Sequence, residues 1–356
     1  MSNLFRCASA LYGLFAMVVW ANAQSYPPAW KSTASYAIGD QVQLNGNVLR
    51  ATHAVSPGGF KYDDWELWEA RANTVYVIGV GQTFATLDQA WAFVLNARIA
   101  EGAYLHLYIS SAKGIYSETL PKTPFSLDHP FGASISIIGD GVGGVSFVSS
   151  GAANPGGFTI DSGHSFGTIS GFQVDGPSSN ASLSAVAFSL SGNASIASLS
   201  GLEIADWGQA VLADHDSTVY IDSQTTVANC QIESSNNSSV TLEYGWSCTR
   251  TNGNSNVLYA LRGGSIYASG CHITDGFYGA VAQYGGIIDV SGGTITGCVD
   301  GVGATERGYV NAEKTKFSES ITADIVVKSG GIVSAYSAVY GPVITGTNDG
   351  SYIETE

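Results

Sequence analysis

The feature that most constrains this chain is a repeat of about 22 residues that keeps its phase through the C-terminal half. One apolar column runs Val219, Val240, Ile266, Ile288, Val310, Val333, at spacings of 21, 26, 22, 22 and 23. A second, Ile273, Ile295, Phe317, Val339, repeats at 22 throughout. The repeats open on glycine, as in Gly285-Gly286-Ile287-Ile288-Asp289-Val290-Ser291, and alternate residues such as Ile288 and Val290 face one side of a short strand. The corner glycines are expected to supply the backbone angles of a sharp bend. One such turn cannot bury its apolar face alone, whereas turns stacked about 4.8 Å apart make continuous internal ladders. The expected fold is all-β, a right-handed parallel β-helix with about 22 residues per turn. Ile196, Ile169, Ile160, Ile137 and Ile135 echo the pattern upstream, which sets the start of the solenoid near residue 115.

A solenoid end exposes unpaired backbone and apolar core, so it needs a cap. The segment Thr86 to Ile99 predicts a capping helix, with Thr86 as N-cap and Leu87, Ala90, Trp91, Val94 and Leu95 at helical spacing. This divides the chain into residues 1–23, a leader; 24–70, a small β module; 71–115, a lead-in strand and helix cap; and 116–356, the β-helix.

The leader sets the compartment. Arg6 precedes an apolar run from Cys7 to Trp20 and then Ala21-Asn22-Ala23, the pattern of a secretory signal peptide cleaved before Gln24. The run is short of the roughly 20 residues that span a bilayer, so no membrane insertion is expected after cleavage. The expected location is secreted or extracellular, cell-surface or virion-associated. Removing one Arg and no acid takes the net charge from −15 to −16, which repels phosphate backbones and disfavours nucleic acid as a partner. With 12% charged and 45% hydrophobic residues the chain has enough apolar surface to fold. Four cysteines remain after the leader. Cys230, Cys248 and Cys271 sit in similar frames that a solenoid could stack into one column, with a bridge involving Cys248, or they are buried thiols; Cys298 falls out of phase.

The run Val77-Ile78-Gly79, Phe84-Ala85-Thr86-Leu87-Asp88-Gln89-Ala90, Leu107-Tyr108-Ile109 and Gly114-Ile115-Tyr116-Ser117-Glu118-Thr119-Leu120 resembles the opening segment of pectate-lyase-like β-helix proteins. Within that family it looks most like bacteriophage tail-fibre and tailspike proteins. The resemblance, over residues 75 to 345, implies a strand and helix cap leading into stacked turns, and a possible homotrimer. It does not imply one activity, because the superfamily holds lyases, hydrolases and pure binders.

Residues 24–70 carry Trp30, then Tyr36-Ala37-Ile38-Gly39-Asp40-Gln41-Val42, Leu44-Asn45-Gly46-Asn47-Val48-Leu49-Arg50-Ala51 and Trp65-Glu66-Leu67. This run looks like the small chitin-binding module of bacterial chitinases, and Asn45-Gly46 fits a tight hairpin turn. The resemblance implies carbohydrate binding, with Trp30, Tyr36 and Trp65 as the aromatic candidates. The chain departs from the family at Leu49, His53 and Ala54, where aromatics are usual.

Catalysis on a polysaccharide would need two carboxyl groups, or a base with a cation. The densest cluster is Asp214-His215-Asp216, a catalytic candidate whose plainer reading is a polar corner before the strand at Thr218. Asp161 with His164, Glu203 with Asp206, and Glu306-Arg307 follow. No second His or Cys lies at ligand spacing from His164 or His272, so no metal and no cofactor are expected. The paired-aspartate and Gly-His-Gly signature of polygalacturonases and the Asp-His strand motif of pectate lyases are absent. Tyr220, Tyr244, Tyr259, Tyr267, Tyr278, Tyr284 and Tyr309 are expected to point outward as a glycan-docking row or a subunit contact. The sequence therefore favours a secreted glycan-recognition protein, with a secreted polysaccharide lyase or glycoside hydrolase and a structural or adhesive surface protein as alternatives. Asn180, Asn193, Asn236 and Asn237 head Asn-x-Ser/Thr triplets in Asn/Ser-rich stretches and carry no assigned role.

Overall fold

The computed structural model describes residues 27–151, 156–178, 182–250, 255–346 and 350–355. The leader and Asn180 lie outside the described residues. The chain is a parallel β-helix of three long sheets of 12, 9 and 10 strands. Each turn visits them in that order: Ile135–Gly139, Val145–Val148 and Gly156–Ile160 form one turn, and Ser165–Ser170, Gln173–Asp175 and Val186–Leu190 the next.

Both apolar columns of the repeat become ladders. Val219, Val240, Ile266, Ile288, Val310 and Val333 pair in register down the 12-stranded sheet. Ile273, Ile295 and Phe317 pair down the nine-stranded sheet, and Cys248, Val227 and Ile204 continue that column upstream. Val339 is the exception: it bridges Lys316 and is 62% exposed, because the column runs out at the last turn. Each buried Val or Ile contributes about 1.5–3 kcal/mol relative to its exposed state, so stability grows with every turn added.

The glycine pairs do two different jobs, which refines the corner expectation. The first residue of each pair takes a positive φ, at Gly263 (80°), Gly285 (78°) and Gly330 (76°), with Arg307 (67°) filling the same place once. The second, at Gly264, Gly286, Gly308 and Gly331, sits so close to the preceding turn that an added Cβ would lie 2.1–2.3 Å from the carbonyl oxygens of Ser234, Ala260, Ala282 and Ala304. Only a residue without Cβ lets the turns approach there.

The helix spans Leu87–Val94. The Thr86 hydroxyl accepts from Gln89 N at 3.3 Å, and Leu87, Ala90, Trp91 and Val94 are buried. The Glu118 carboxylate accepts from Leu87 N at 2.9 Å, which adds a negative charge at the helix N-terminus. Leu95 is 42% exposed and Arg98–Ile99 is a strand, so the helix stops earlier than its periodicity suggests. Parallel stacking also begins earlier than residue 115: Thr74–Ile78 pairs with Leu105–Ile109, which pairs with Ile135–Gly139.

Ahead of the solenoid, Gln41–Leu44, Asn47–Ala51 and Trp65–Ala70 form an antiparallel sheet that Arg98–Ile99 joins in parallel. Asn45 and Gly46 both take positive φ, 51° and 83°, in the two-residue turn between the first strands.

All four cysteines are buried free thiols. They do not form one column: Cys248 pairs with Ile273 in a strand, while Cys271 opens a different corner. Cys230 and Cys298 are the equivalent pair, each with its Sγ at 3.0 Å from a nearby carbonyl oxygen, that of Ala228 and that of Asp275 respectively. The phase relation expected from the sequence is therefore reversed.

Candidate functional site

The outer face of the 10-stranded sheet gathers polar groups from successive turns. Gln209 pairs with Gln231, Leu212 with Glu233, and Glu233 with Tyr259. Glu233 points outward and is half-buried between its neighbours. Gln209 Nε2 and Gln231 Nε2 both donate to Glu233 Oε2, at 2.5 and 2.9 Å. On the next turn the Tyr259 hydroxyl donates to Gln283 Oε1 at 2.8 Å.

Asp214 closes this face where the chain turns toward the 12-stranded sheet. Its Oδ1 accepts from Ser235 Oγ at 2.8 Å and Asn236 Nδ2 at 2.6 Å, and its Oδ2 lies 2.7 Å from His215 Nδ1. Asp214 follows Leu212 by two residues, and Leu212 pairs with Glu233. Strand spacing and rise then put the Asp214 and Glu233 backbones about 8 Å apart.

The two carboxyls are tuned in opposite directions. Burial raises the Glu233 pKa and the Asp214 charge raises it further, against the two glutamine amides and Arg262. Burial also pushes Asp214 up, but hydrogen bonds from Ser235 and Asn236, with His215, outweigh it and hold Asp214 low. Two nearby carboxyls whose surroundings separate their acidities are what general acid and base roles require.

His215 is well exposed, with a side-chain exposure of 64%, and both it and Asp216 take positive φ, 52° and 62°. Asp214 O accepts from Ser217 Oγ at 2.6 Å. All three residues lie at the corner before Thr218–Ile221, and the Asp214 charge reaches Glu233. The sequence pointed to Asp214 and, among the outward tyrosines, to Tyr259, but missed Glu233, Gln209 and Gln231. The 22-residue step from Gln209 to Gln231 was a usable signal, had the repeat been followed for polar residues as well as apolar ones.

The other clusters go elsewhere. Asp161 and His164 meet Asp128 from the turn below, with Asp161 N donating to Asp128 Oδ1 at 2.6 Å and His164 Nδ1 3.4 Å from the same oxygen. Glu203 faces out on the nine-stranded sheet, and Asp206 accepts from Asn229 Nδ2 at 2.9 Å. Glu306 and Arg307 form a corner beside Tyr284 and Ser329. His272 Nδ1 lies 2.7 Å from Thr294 Oγ1. Among the described residues no group of three His, Cys, Asp or Glu could hold a metal ion.

The tyrosines do not form one row. Tyr220, Tyr267 and Tyr309 lie on the 12-stranded sheet, Tyr259 and Tyr278 on the 10-stranded sheet, and Tyr244 and Tyr284 at corners. Of the module aromatics, Trp65 is 3% exposed, stacked on Phe60 and edge-on to Tyr36, and so offers no face to a sugar. Trp30 and Tyr36 are partly buried against the same core. The small module needs these rings to pack itself.

No protein-family model matches the chain. No curated protein matches it. A solved structure similar to it is the A-module of the mannuronan C-5 epimerase AlgE6 of Azotobacter vinelandii, at 11% identity and a TM-score of 0.34, covering 70% of this chain and 81% of that one.

Proposed function

We propose that the protein is an exported glycan-recognition β-helix of the tail-fibre or tailspike type, which binds a polysaccharide or cell-surface glycan along the outer face of its 10-stranded sheet. The observation that carries this reading is the Glu233 carboxylate held by two glutamine amides beside Tyr259 and Asp214. A rigid surface with aligned acceptors, amides and an aromatic ring suits a hydroxyl-rich chain, because each sugar hydroxyl needs a placed partner. Residues 24–70 serve this reading as an auxiliary module. A homotrimer, frequent in the family the sequence resembles, would use the exposed Tyr267, Ile287 and Tyr352 on the 12-stranded sheet, with the half-buried Tyr309 between Ile287 and Tyr352. The test is a pull-down against chitin, its deacetylated free-amine form, pectin, alginate and bacterial capsular polysaccharides. Retention on at least one polymer that Glu233→Ala abolishes supports the reading, and retention on none overturns it.

The opposed acidities of Asp214 and Glu233 favour a second reading, glycoside hydrolysis. An inverting enzyme would need their carboxyl groups about 6.5–9.5 Å apart and a retaining one about 5–5.5 Å. Glu233 would protonate the leaving oxygen and Asp214 would activate water. New reducing ends, lost in both Glu233→Gln and Asp214→Asn, would establish it; binding without cleavage would dismiss it.

A further inference from the structure

Three turns beyond Glu233 on the same face, a second carboxyl is held without an ion-pair partner among the described residues. Tyr278 pairs with Asp300 across adjacent strands. Asp300 is 7% exposed, and its Oδ1 has no hydrogen-bond partner among the described residues. Gly303 leaves room for the Tyr278 ring, which an added Cβ would meet at 2.8 Å. Phe277, edge-on to Tyr278 at 5.1 Å, is 40% exposed at the rim. A buried acceptor without a donor is costly, about 1–3 kcal/mol and more when charged, so the site is poised to gain from a donor that reaches it.

Among the described residues the ion pairs are Arg50–Glu66, Arg71–Glu69, His164–Asp128 and His215–Asp214. None includes Glu233 or Asp300. Arg262 and Lys328 exert only longer-range attraction on them. The two carboxyls thus stand about 14 Å apart along the axis at 4.8 Å per strand, both short of positive charge, on a chain whose net charge is −15. An acidic polymer would be repelled by this face and a neutral one would leave the deficit unfilled, whereas a chain bearing ammonium groups would meet it.

We infer that the glycan is a cationic one, a polymer of amino sugars with free amines, whose ammonium groups are taken by Glu233 and Asp300. Burial raises the Asp300 pKa, against hydrogen bonds from Tyr278 and the Ala323 backbone and the more distant charge of Lys328. This inference rests on the glycan-recognition reading and narrows it to a substrate class.

The test compares, by titration calorimetry at pH 6, the affinity of the full chain for glucosamine oligomers, for N-acetylglucosamine oligomers of the same length and for a neutral glucan. The expected result is at least tenfold tighter binding of the free-amine oligomers, with Glu233→Gln and Asp300→Asn each removing most of that preference. The control is Glu101→Gln, which removes one exposed charge outside the face. Equal loss in the control means general attraction between opposite charges and overturns the inference, as does equal or tighter binding of the acetylated or neutral oligomers; both leave glycan recognition standing. If neither these oligomers nor any polymer of the panel binds, both readings fall.

Discussion

Asp214 and Glu233 lie on successive turns of the solenoid with opposite shifts in acidity, and the Asp214 charge helps to set that of Glu233. The Asp214 charge raises Glu233, while hydrogen bonds from Ser235 and Asn236 keep Asp214 ionised. Carbon-detected NMR titration should find Glu233 above the ordinary glutamate range and Asp214 below the aspartate one. Asp214→Asn should lower the Glu233 pKa; an unchanged value would show that burial alone raises it.

The glycine pairs predict an asymmetric response to substitution. Gly286→Ala places a Cβ 2.3 Å from Ala260 O and should destabilise by about 1–3 kcal/mol through overpacking. Gly285→Asn meets nothing within 4 Å and needs only a φ of 78°, which Asn adopts readily, so its effect should stay below about 1 kcal/mol. Thermal melts of the two variants compare them, and equal shifts would contradict the close-approach account.

Trp207 is fully buried, and its indole N–H donates to Val174 O at 3.2 Å, joining two turns. Trp207→Ala should lower stability by about 3–5 kcal/mol. A urea midpoint within error of the parent would show that the cavity collapses.

Burial pushes the thiols of Cys230, Cys271 and Cys298 up to about 12. The thiolate is the reactive form, so none should react with a thiol reagent at pH 8 in the native protein, and all four should react after unfolding in denaturant. A native-state count above zero would refute their burial.

Asp222 supplies the pH dependence. Its carboxylate accepts from Ser200 Oγ, Gly201 N, and Thr225 N and Oγ1 at 2.5–3.1 Å, and these bonds outweigh the upward push of burial to hold its pKa below the usual value. A depressed folded pKa gives stability that is present above the unfolded value, about 3.9, and lost as pH falls through the folded one. Asp222→Asn should therefore destabilise by about 1–2 kcal/mol at pH 7, and the difference should vanish near pH 2. A gap that persists at pH 2 would point to lost packing instead.

The amino-acid sequence determined the solenoid. Its period, its apolar columns and its glycine pairs are local properties repeated in register, and each turn contacts chiefly its neighbours, so spacing translates directly into stacking. The ladder from Val219 to Val333 could be read off by counting, as could the Thr86 cap and the Asn45-Gly46 turn. Tertiary structure decided what spacing does not encode. Insertions such as the 26 residues from Val240 to Ile266 shift corners without breaking strands, and Cys248 pairs with Val227, three residues before Cys230, so that Cys230 matches Cys298 instead. Whether Val339 is covered depends on the turn beyond it, and whether Trp65 meets a sugar or Phe60 depends on how little core the small module has. Glu233 became legible only in three dimensions, because its environment is made by Gln209, Asp214 and Tyr259 from neighbouring turns. Desolvation and cross-strand hydrogen bonds, which single out this face, belong to the stacked structure alone.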